Sequence, residues 1–128
     1  MFENLNVFRM SAALARYAGQ QQALVAQNVA NADTPGYRAR GLPDFKSTYM
    51  PTGDAGSQKA TRVSHLNGIQ PGIATPAPVE TGGEASPNGN QVSLETEMLK
   101  SADAKRAHDR ALAIYKTALG ILRSTIRT

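Results

Sequence analysis

Two long segments that favour helix, one near each end of the chain, constrain the fold more than any other feature. Residues 2–30 contain no Pro and a single Gly, and mostly small or apolar residues recur there at alternating three- and four-residue steps. These positions are Leu5, Phe8, Ala12, Ala15, Gly19, Gln22, Ala26 and Val29. Because most of their side chains are small, they predict an amphipathic helix that needs a partner helix at close range.

The last third of the chain repeats the pattern with larger side chains. Ser93 is suited to an N-cap, Glu95 and Glu97 to a first turn, and Arg123 to a last turn, as the helix dipole favours. The apolar seam of this second helix consists of Leu94, Met98, Ser101, Lys105, His108, Leu112, Tyr115, Leu119, Leu122 and Ile126. Its three polar members in the middle interrupt the apolar pattern, and we expect that stretch to face solvent.

The segment between the two helices has a different composition. Residues 51–90 hold seven of the eleven Gly and five of the seven Pro, which predicts loops and short strands. Only Thr61–Leu66 has a strand-like pattern. The predicted fold is therefore mainly α, with long N- and C-terminal helices packed in a coiled-coil-like arrangement and a small irregular or short-β central segment. The predicted divisions are 1–32 for the N-terminal helix, 33–50 for a turn and extension, 51–90 for the central segment and 91–128 for the C-terminal helix.

The composition argues against several classes of function. The chain has no Cys and few aromatic residues, and His65 and His108 are isolated, so neither a catalytic constellation nor a metal or cofactor site is expected. Its net charge of +4 comes from scattered bases rather than from a basic patch, which disfavours nucleic-acid binding. No apolar run is long enough to cross a bilayer, and no cleaved signal is evident.

The segment that follows the first helix has the most specific pattern. Asn28 and Asn31 lie three residues apart, so they share a helix face and can bond to neighbouring backbone groups. Asn31 can also adopt a left-handed helix exit. Pro35 and Gly36 have the chemistry of a type II turn, which directs Tyr37 to a defined place.

This stretch, which also contains Thr34, resembles the signature of the flagellar basal-body rod family, the axial proteins of the bacterial flagellum. Members of that family carry an Asn-x-Ala-Asn-x-x-Thr-Pro-Gly-Tyr pattern after an N-terminal helix. Within the family the chain is most similar to a proximal rod protein, because the segments Tyr37–Arg40, Thr61–Leu66 and Asn90–Met98 resemble the corresponding parts of that protein.

The resemblance implies a structural subunit of the proximal rod that assembles through its terminal helices and transmits torque, with no enzymatic activity and no cofactor. It also implies a location in the basal body, where the rod spans the periplasm, and export by the flagellar type III apparatus without a cleaved signal peptide. The implied partners are copies of itself, other rod proteins, membrane-ring and rod-base adaptor proteins and the export apparatus, with no nucleic acid and no direct membrane insertion.

The residues expected to form the assembly interface are the large members of the two seams. They are Leu5, Phe8, Leu94, Met98, Leu112, Tyr115, Leu119, Leu122 and Ile126. A soluble helical adaptor or export chaperone of the flagellar system is the alternative, since it would share the amphipathic termini but would have no need of the turn at Pro35 and Gly36.

Overall fold

The computed structural model of the protein describes residues 2–49 and 76–126, with side chains from residue 6 onward. Its elements are α1 (Phe2–Ala30), β1 (Arg40–Gly41), α2 (Phe45–Thr48), β2 (Val79–Glu80) and α3 (Leu94–Ile126). The two long helices pack together, and β1 and β2 form a small antiparallel sheet. The predicted fold, mainly α with packed terminal helices and a short β element, is confirmed. The strand-like run at residues 61–66 lies outside the described residues.

The two long helices run antiparallel in a defined register. Near the start of α1 the ring of Phe8 contacts that of Tyr115 edge-on, with 5.1 Å between the centroids. Nearer the end of α1 the amide Nε2 of Gln22 donates to Ser101 Oγ at 2.9 Å. Residues later in α1 therefore contact residues earlier in α3. All four of these residues belong to the predicted seams.

Small residues occupy the centre of the helix interface. Residues of α1 that are buried at seven-residue intervals face their equivalents on α3 in this register. The facing pairs are Ser11 with Ala111, Ala18 with Ala104 and Val25 with Glu97. Small side chains allow two helix backbones to approach closely. They also bury little apolar area, since each buried methylene contributes only about 0.8 kcal/mol.

Half of the predicted seam positions lie one residue after the positions that are buried in the structure. In α3, Ala104 and Ala111 are buried, whereas the predicted seam members Lys105 and Leu112 are exposed. The same one-residue shift applies to α1. The periodic pattern did not fix the rotation of each helix about its own axis to within one residue. In α3, close approach of the backbones leaves room at the centre for Ala104 and Ala111 rather than for Leu112. Of the three polar seam residues predicted to face solvent, Lys105 and His108 do so, whereas Ser101 is half-buried and accepts the Gln22 amide from α1.

The ends of the helices follow local chemistry. The backbone N–H of Thr96 donates to Ser93 Oγ at 3.5 Å, so Ser93 is the N-cap of α3, as predicted. The prediction of a left-handed exit at Asn31 is wrong, because among the described residues only glycines have positive φ. Instead the last turn of α1 becomes narrower, because the Asn31 N–H donates to the carbonyls of both Gln27 and Asn28, at 3.2 and 3.1 Å.

Candidate assembly site

The last turn of α1 is joined to the start of α3 through one buried amide. Asn28 is fully buried, and its Nδ2 donates to the carbonyl of Arg40 at 2.7 Å and to Glu97 Oε2 at 3.0 Å. Its Oδ1 accepts the Arg40 N–H at 3.0 Å and the Tyr37 hydroxyl at 3.3 Å. Both donors and both acceptor positions of the amide are thus used. We call this cluster of Asn28, Tyr37, Arg40 and Glu97 the joint.

The carboxylate of Glu97 is an unusual component of such a joint. Its side chain is 1% exposed and lies in the first turn of α3, where the helix dipole favours negative charge. One oxygen accepts the Asn28 amide, and the other accepts Lys100 Nζ at 2.8 Å. A buried charge is tolerated when hydrogen bonds and an opposite charge satisfy it, and both conditions hold here.

The turn that follows α1 brings Tyr37 to the joint. Gly36 has φ of 71°, and the Tyr37 N–H donates to the Thr34 carbonyl at 3.3 Å, which are the features of the predicted type II turn. Gly89 has φ of 80°, and a Cβ there would lie 3.4 Å from the Gly36 Cα. Glycine at both positions therefore lets two turns approach each other closely.

A second buried amide connects those two turns. Asn90 is 2% exposed, and its Nδ2 donates to the carbonyls of Asn31 at 2.9 Å and Thr34 at 2.7 Å. Its Oδ1 accepts the Val92 N–H at 2.7 Å. The sequence placed Glu97 only in the first turn of the second helix, where the dipole favours negative charge, and Asn90 only in a segment that resembles the family. No signal in a single sequence pairs either residue with the signature, since 69 residues separate Asn28 from Glu97.

The segment after β1 covers one side of α1. The Tyr17 hydroxyl donates to the Pro43 carbonyl at 2.7 Å, and its ring packs edge-on against that of Phe45, which stacks on Tyr49. Burial raises the pKa of the Tyr17 hydroxyl, and the nearby carboxylate of Asp44 raises it further. The extension from Ala39 to Tyr49 is thereby held against α1 on the side where Tyr17 projects.

The other side of the helix pair carries large apolar residues with little covering them. We call this side, formed by the two predicted seams, the open flank. Its exposed members are Val29, Leu94, Met98, Leu112, Tyr115 and Ile126, while Phe8, Leu119 and Leu122 are half-buried. Met98 is 71% exposed. The side chain of Leu5, the remaining predicted interface residue, lies outside the described side chains.

The structure thus divides the predicted site residues into two groups. Two signature residues, Asn28 and Tyr37, bond to each other at the joint. Two others lie in the turn beside it, where Thr34 Oγ1 donates to Asn31 Oδ1 at 3.2 Å. The predicted interface residues lie instead along the open flank, where the ring of Phe8 on α1 contacts that of Tyr115 on α3. Their role as an assembly interface stays a prediction.

The described residues contain neither a metal-binding cluster nor a membrane-spanning helix. Within residues 2–49 and 76–126 no group of His, Asp and Glu side chains is arranged to hold a metal ion. The helices in this part of the chain are also not apolar enough over a sufficient length to cross a membrane. What the geometry provides is a fixed connection at one end of a helix pair and an apolar surface along one side.

Comparisons with known proteins point to one family. The model of the family described as "Flagella basal body rod protein" matches residues 10–38, a range that contains most of α1 and the signature turn. The chain is 27% identical to the flagellar basal body rod protein FlgB of Agrobacterium fabrum, over 96% of this chain and 94% of that protein. It is 31% identical to the protein of the same name from Escherichia coli, over 73% of each chain, and equally similar to that of Shigella flexneri.

Proposed function

The chain belongs to the family of flagellar basal body rod proteins of the FlgB type, and on that premise we propose that neighbouring rod subunits pack on the open flank of its helix pair. It is a structural subunit of the proximal rod in the bacterial flagellar basal body. The adaptor or chaperone alternative is not favoured. The observation that carries the proposal is the row of exposed Leu, Met, Tyr and Ile side chains along the open flank, which holds more of the exposed large apolar side chains than the rest of the helix pair, where Met10, Leu99 and Ile121 are exposed.

Exposed apolar side chains in such a row favour a protein partner. Met98 and Leu94, at 71% and 52% exposure, and Ile126, at 82%, each lose little water contact within the single chain. Burial of one such side chain in an interface contributes roughly 1.5 to 3 kcal/mol. Exposed apolar side chains grouped in this way, before Ser101 and from Leu112 onward, are typical of an interaction site. Since the centre of the pair holds mainly small side chains, contacts with neighbours would supply much of the apolar burial.

The joint has a complementary role in this proposal. It fixes the end of α1 to the start of α3 through Asn28 and Glu97, so that the two helices present the open flank as one surface. A shaft that transmits torque needs subunits whose parts do not slide past each other. Buried, fully satisfied polar groups resist such sliding because any displacement leaves one of them without a partner.

The partners and the route to the rod form the rest of the proposal. The protein assembles with other rod proteins. We propose that these partners include copies of itself, that membrane-ring and rod-base adaptor proteins contact the rod end, and that the flagellar type III apparatus exports the chain without a cleaved signal peptide. In the rod it acts without catalysis or cofactor.

Electron microscopy of isolated basal bodies tests the function. Deletion of the gene should remove the rod while the membrane ring remains, and an intact rod in the deletion strain would contradict the assignment.

Two adjacent residues on opposite sides of α3 provide a matched test of the open flank. Met98 lies on the open flank and Leu99 does not, and both are largely exposed, at 71% and 62%. We expect Met98→Asp to be produced and exported but excluded from the rod, because a carboxylate buried in an apolar contact is costly. Leu99→Asp should restore motility to the deletion strain. Equal motility of the two variants would remove the support for this surface.

A further inference from the structure

The turn before α3 contains a chemically labile dipeptide. Asn-Gly occurs twice in the chain, as Asn67–Gly68 outside the described residues and as Asn88–Gly89 within them. Asn followed by Gly is prone to cyclise, because Gly has no side chain to shield its amide nitrogen and adopts backbone angles that other residues avoid. Asn88 is exposed, so water reaches it. A spontaneous change of the backbone at this position is therefore chemically accessible.

The reaction needs no partner except water. The Gly89 nitrogen, once it loses its proton, attacks Cγ of Asn88, and the Cγ–Nδ2 bond breaks as ammonia leaves with that proton. The product is a five-membered succinimide ring. Water then breaks the bond from the Gly89 nitrogen either to Cγ, which gives Asp, or to the main-chain carbonyl carbon, which gives isoaspartate. In isoaspartate the main chain runs through Cβ and Cγ and so has one additional atom.

The folded turn keeps the two reacting atoms apart. The Gly89 N–H donates to the Ser86 carbonyl at 2.7 Å, and Asn88 does not have positive φ, so residues 86–89 form a type I turn with Asn88 at a ψ of about 0°. Ring closure requires Cβ of Asn88 to eclipse the Gly89 nitrogen about the Cα–C bond. At that ψ the main-chain nitrogen of Asn88 takes the eclipsed place instead. The hydrogen bond to Ser86 also holds the proton that Gly89 must lose.

A second turn, formed by the Asn88 side chain, has the same effect. Oδ1 of Asn88 accepts the Asn90 N–H at 3.0 Å, which is an Asx turn, and Gly89 has the φ of 80° that type II geometry requires of its third residue. In that geometry Cβ of Asn88 and the Gly89 nitrogen are about 120° apart about the Cα–C bond. Both turns therefore hold the nitrogen away from Cγ.

The docked position of this turn leaves no room for an additional main-chain atom. The Gly36 N–H donates to the Asn88 carbonyl at 3.1 Å, and a Cβ on Gly89 would lie 3.4 Å from the Gly36 Cα. In isoaspartate that carbonyl becomes part of a free carboxylate, outside the main chain. Asn90 would then no longer reach the two carbonyls of the turn after α1 that its amide now contacts.

We propose that Asn88 is a site of spontaneous modification that folding closes: it converts through succinimide to isoaspartate in the unfolded chain, and the folded turn stops the conversion. Chains converted before folding cannot dock residues 86–90 against the turn that follows α1. The proportion of chains that can fold correctly thus declines with the time spent unfolded. This inference concerns the isolated chain and does not depend on the proposed function.

Peptide mass spectrometry of the full-length chain, incubated in mildly alkaline buffer with and without guanidinium chloride, tests the protection. Asn67→Gln is included in every protein, so that Asn88 is the one remaining Asn that precedes Gly. Conversion at Asn88 should be slower in buffer than in denaturant by roughly tenfold or more, because a hydrogen-bonded turn reacts only when it opens. Equal rates in the two solutions would overturn the inference.

Asn90→Ala and Ala104→Leu separate protection by the turn from the stability of the whole chain. Asn90→Ala removes the amide that holds the turn in place and leaves both reacting residues intact. In buffer, where circular dichroism shows both variants folded, it should raise conversion at Asn88 severalfold. Ala104→Leu, in the middle of the helix pair, should not. Equal rates in the two variants would contradict protection by the turn.

The two products of ring opening test the consequence of conversion. Chains with Asp and with isoaspartate at position 88 have the same composition and charge, so they differ only in the path of the main chain. After chromatographic separation and refolding, the Asp chain should unfold at nearly the same urea concentration as the unmodified chain, and the isoaspartate chain at a clearly lower one. Equal unfolding midpoints for the two products would show that the additional atom does not prevent docking.

Discussion

The joint and the rest of the helix pair are stabilised by different kinds of interaction. At the joint, Asn28 and Glu97 are almost completely buried, and each makes hydrogen bonds whose partners come from distant parts of the chain. Along the rest of the pair, buried positions such as Ala18 and Ala104 are small and apolar. Hydrogen bonds depend on direction and on the identity of donor and acceptor, whereas contacts between small side chains depend chiefly on size. The joint should therefore be sensitive to isosteric changes, and the pair to changes in volume.

Replacement of Asn28 by Asp should have the largest effect, because it alters chemistry at the joint with almost no change in shape. The substitution turns a donor into an acceptor that faces the Arg40 carbonyl and the Glu97 carboxylate. The loss should exceed the roughly 1–3 kcal/mol that an unsatisfied buried neutral group costs. Urea unfolding followed by circular dichroism measures it.

Asn88 provides the control for that measurement. It is exposed and uses its Oδ1 to accept the Asn90 N–H at 3.0 Å, a role that an Asp carboxylate can keep. Asn88→Asp should change the free energy of unfolding by less than about 0.5 kcal/mol, as surface substitutions usually do. If Asn28→Asp changed the free energy of unfolding as little as Asn88→Asp, the stability of the joint would not depend on hydrogen-bond donors and acceptors in the way proposed.

Replacement of Ala104 by Leu should have an intermediate effect, because it changes volume at the centre of the pair. The register places Ala104 against Ala18, and both are buried, so a larger side chain must push the helices apart. Overpacking of this kind typically costs about 1–3 kcal/mol. The exposed Ala113 on the same helix is the control, since Ala113→Leu should be close to neutral in the same urea experiment. A larger loss from the Ala113 change would contradict the assignment of the buried stripe.

A change at Tyr17 should have the smallest effect, and its pH-dependent part should appear only at high pH, in addition to the pH-independent loss of the hydrogen bond to the Pro43 carbonyl. Its pKa is raised in the folded chain by burial and by Asp44, so the folded state favours the neutral hydroxyl. The associated stability is fully present below the unfolded pKa of about 10 and is lost as the pH rises through the folded value. Tyr17→Phe should therefore lose less stability between about pH 9 and 11 than the unsubstituted chain does. If thermal stability changed with pH in the same way in both proteins, the contribution of Tyr17 ionisation would be refuted.

The sequence predicted much of the architecture because the two helices have strong periodicity and clear caps. Ser93 at the start of α3 and the Pro35–Gly36 turn were both predicted and are both found. The buried face was displaced by one residue at half of the seam positions, because periodicity weighs apolar size and cannot tell how closely two helices approach. Ala104 and Leu112 are both compatible with a helical seam, and only the packing distance decides which of them is buried.

The joint was harder to predict, since its partners lie far apart in the sequence. Asn28 is bonded to Glu97 across 69 residues, and a single sequence carries no signal that pairs a particular Asn with a particular Glu. Local chemistry did predict that the two signature Asn residues bond to backbone groups, and Asn28 does so at Arg40. It could not predict that the same amide would also hold the start of α3.

The pairing of β1 with β2 has a consequence for how the chain tolerates change. Gly41 and Val79 are opposite each other, so the chain leaves the helical body and returns to it at neighbouring points. For a flexible loop, each doubling in length costs only about 0.6 kcal/mol of closure entropy. Residues added after Tyr49, the last described residue of the segment packed on α1, and before Val79 should therefore have little effect on the helix pair. That part of the chain is a suitable place to insert an epitope or a fluorescent domain.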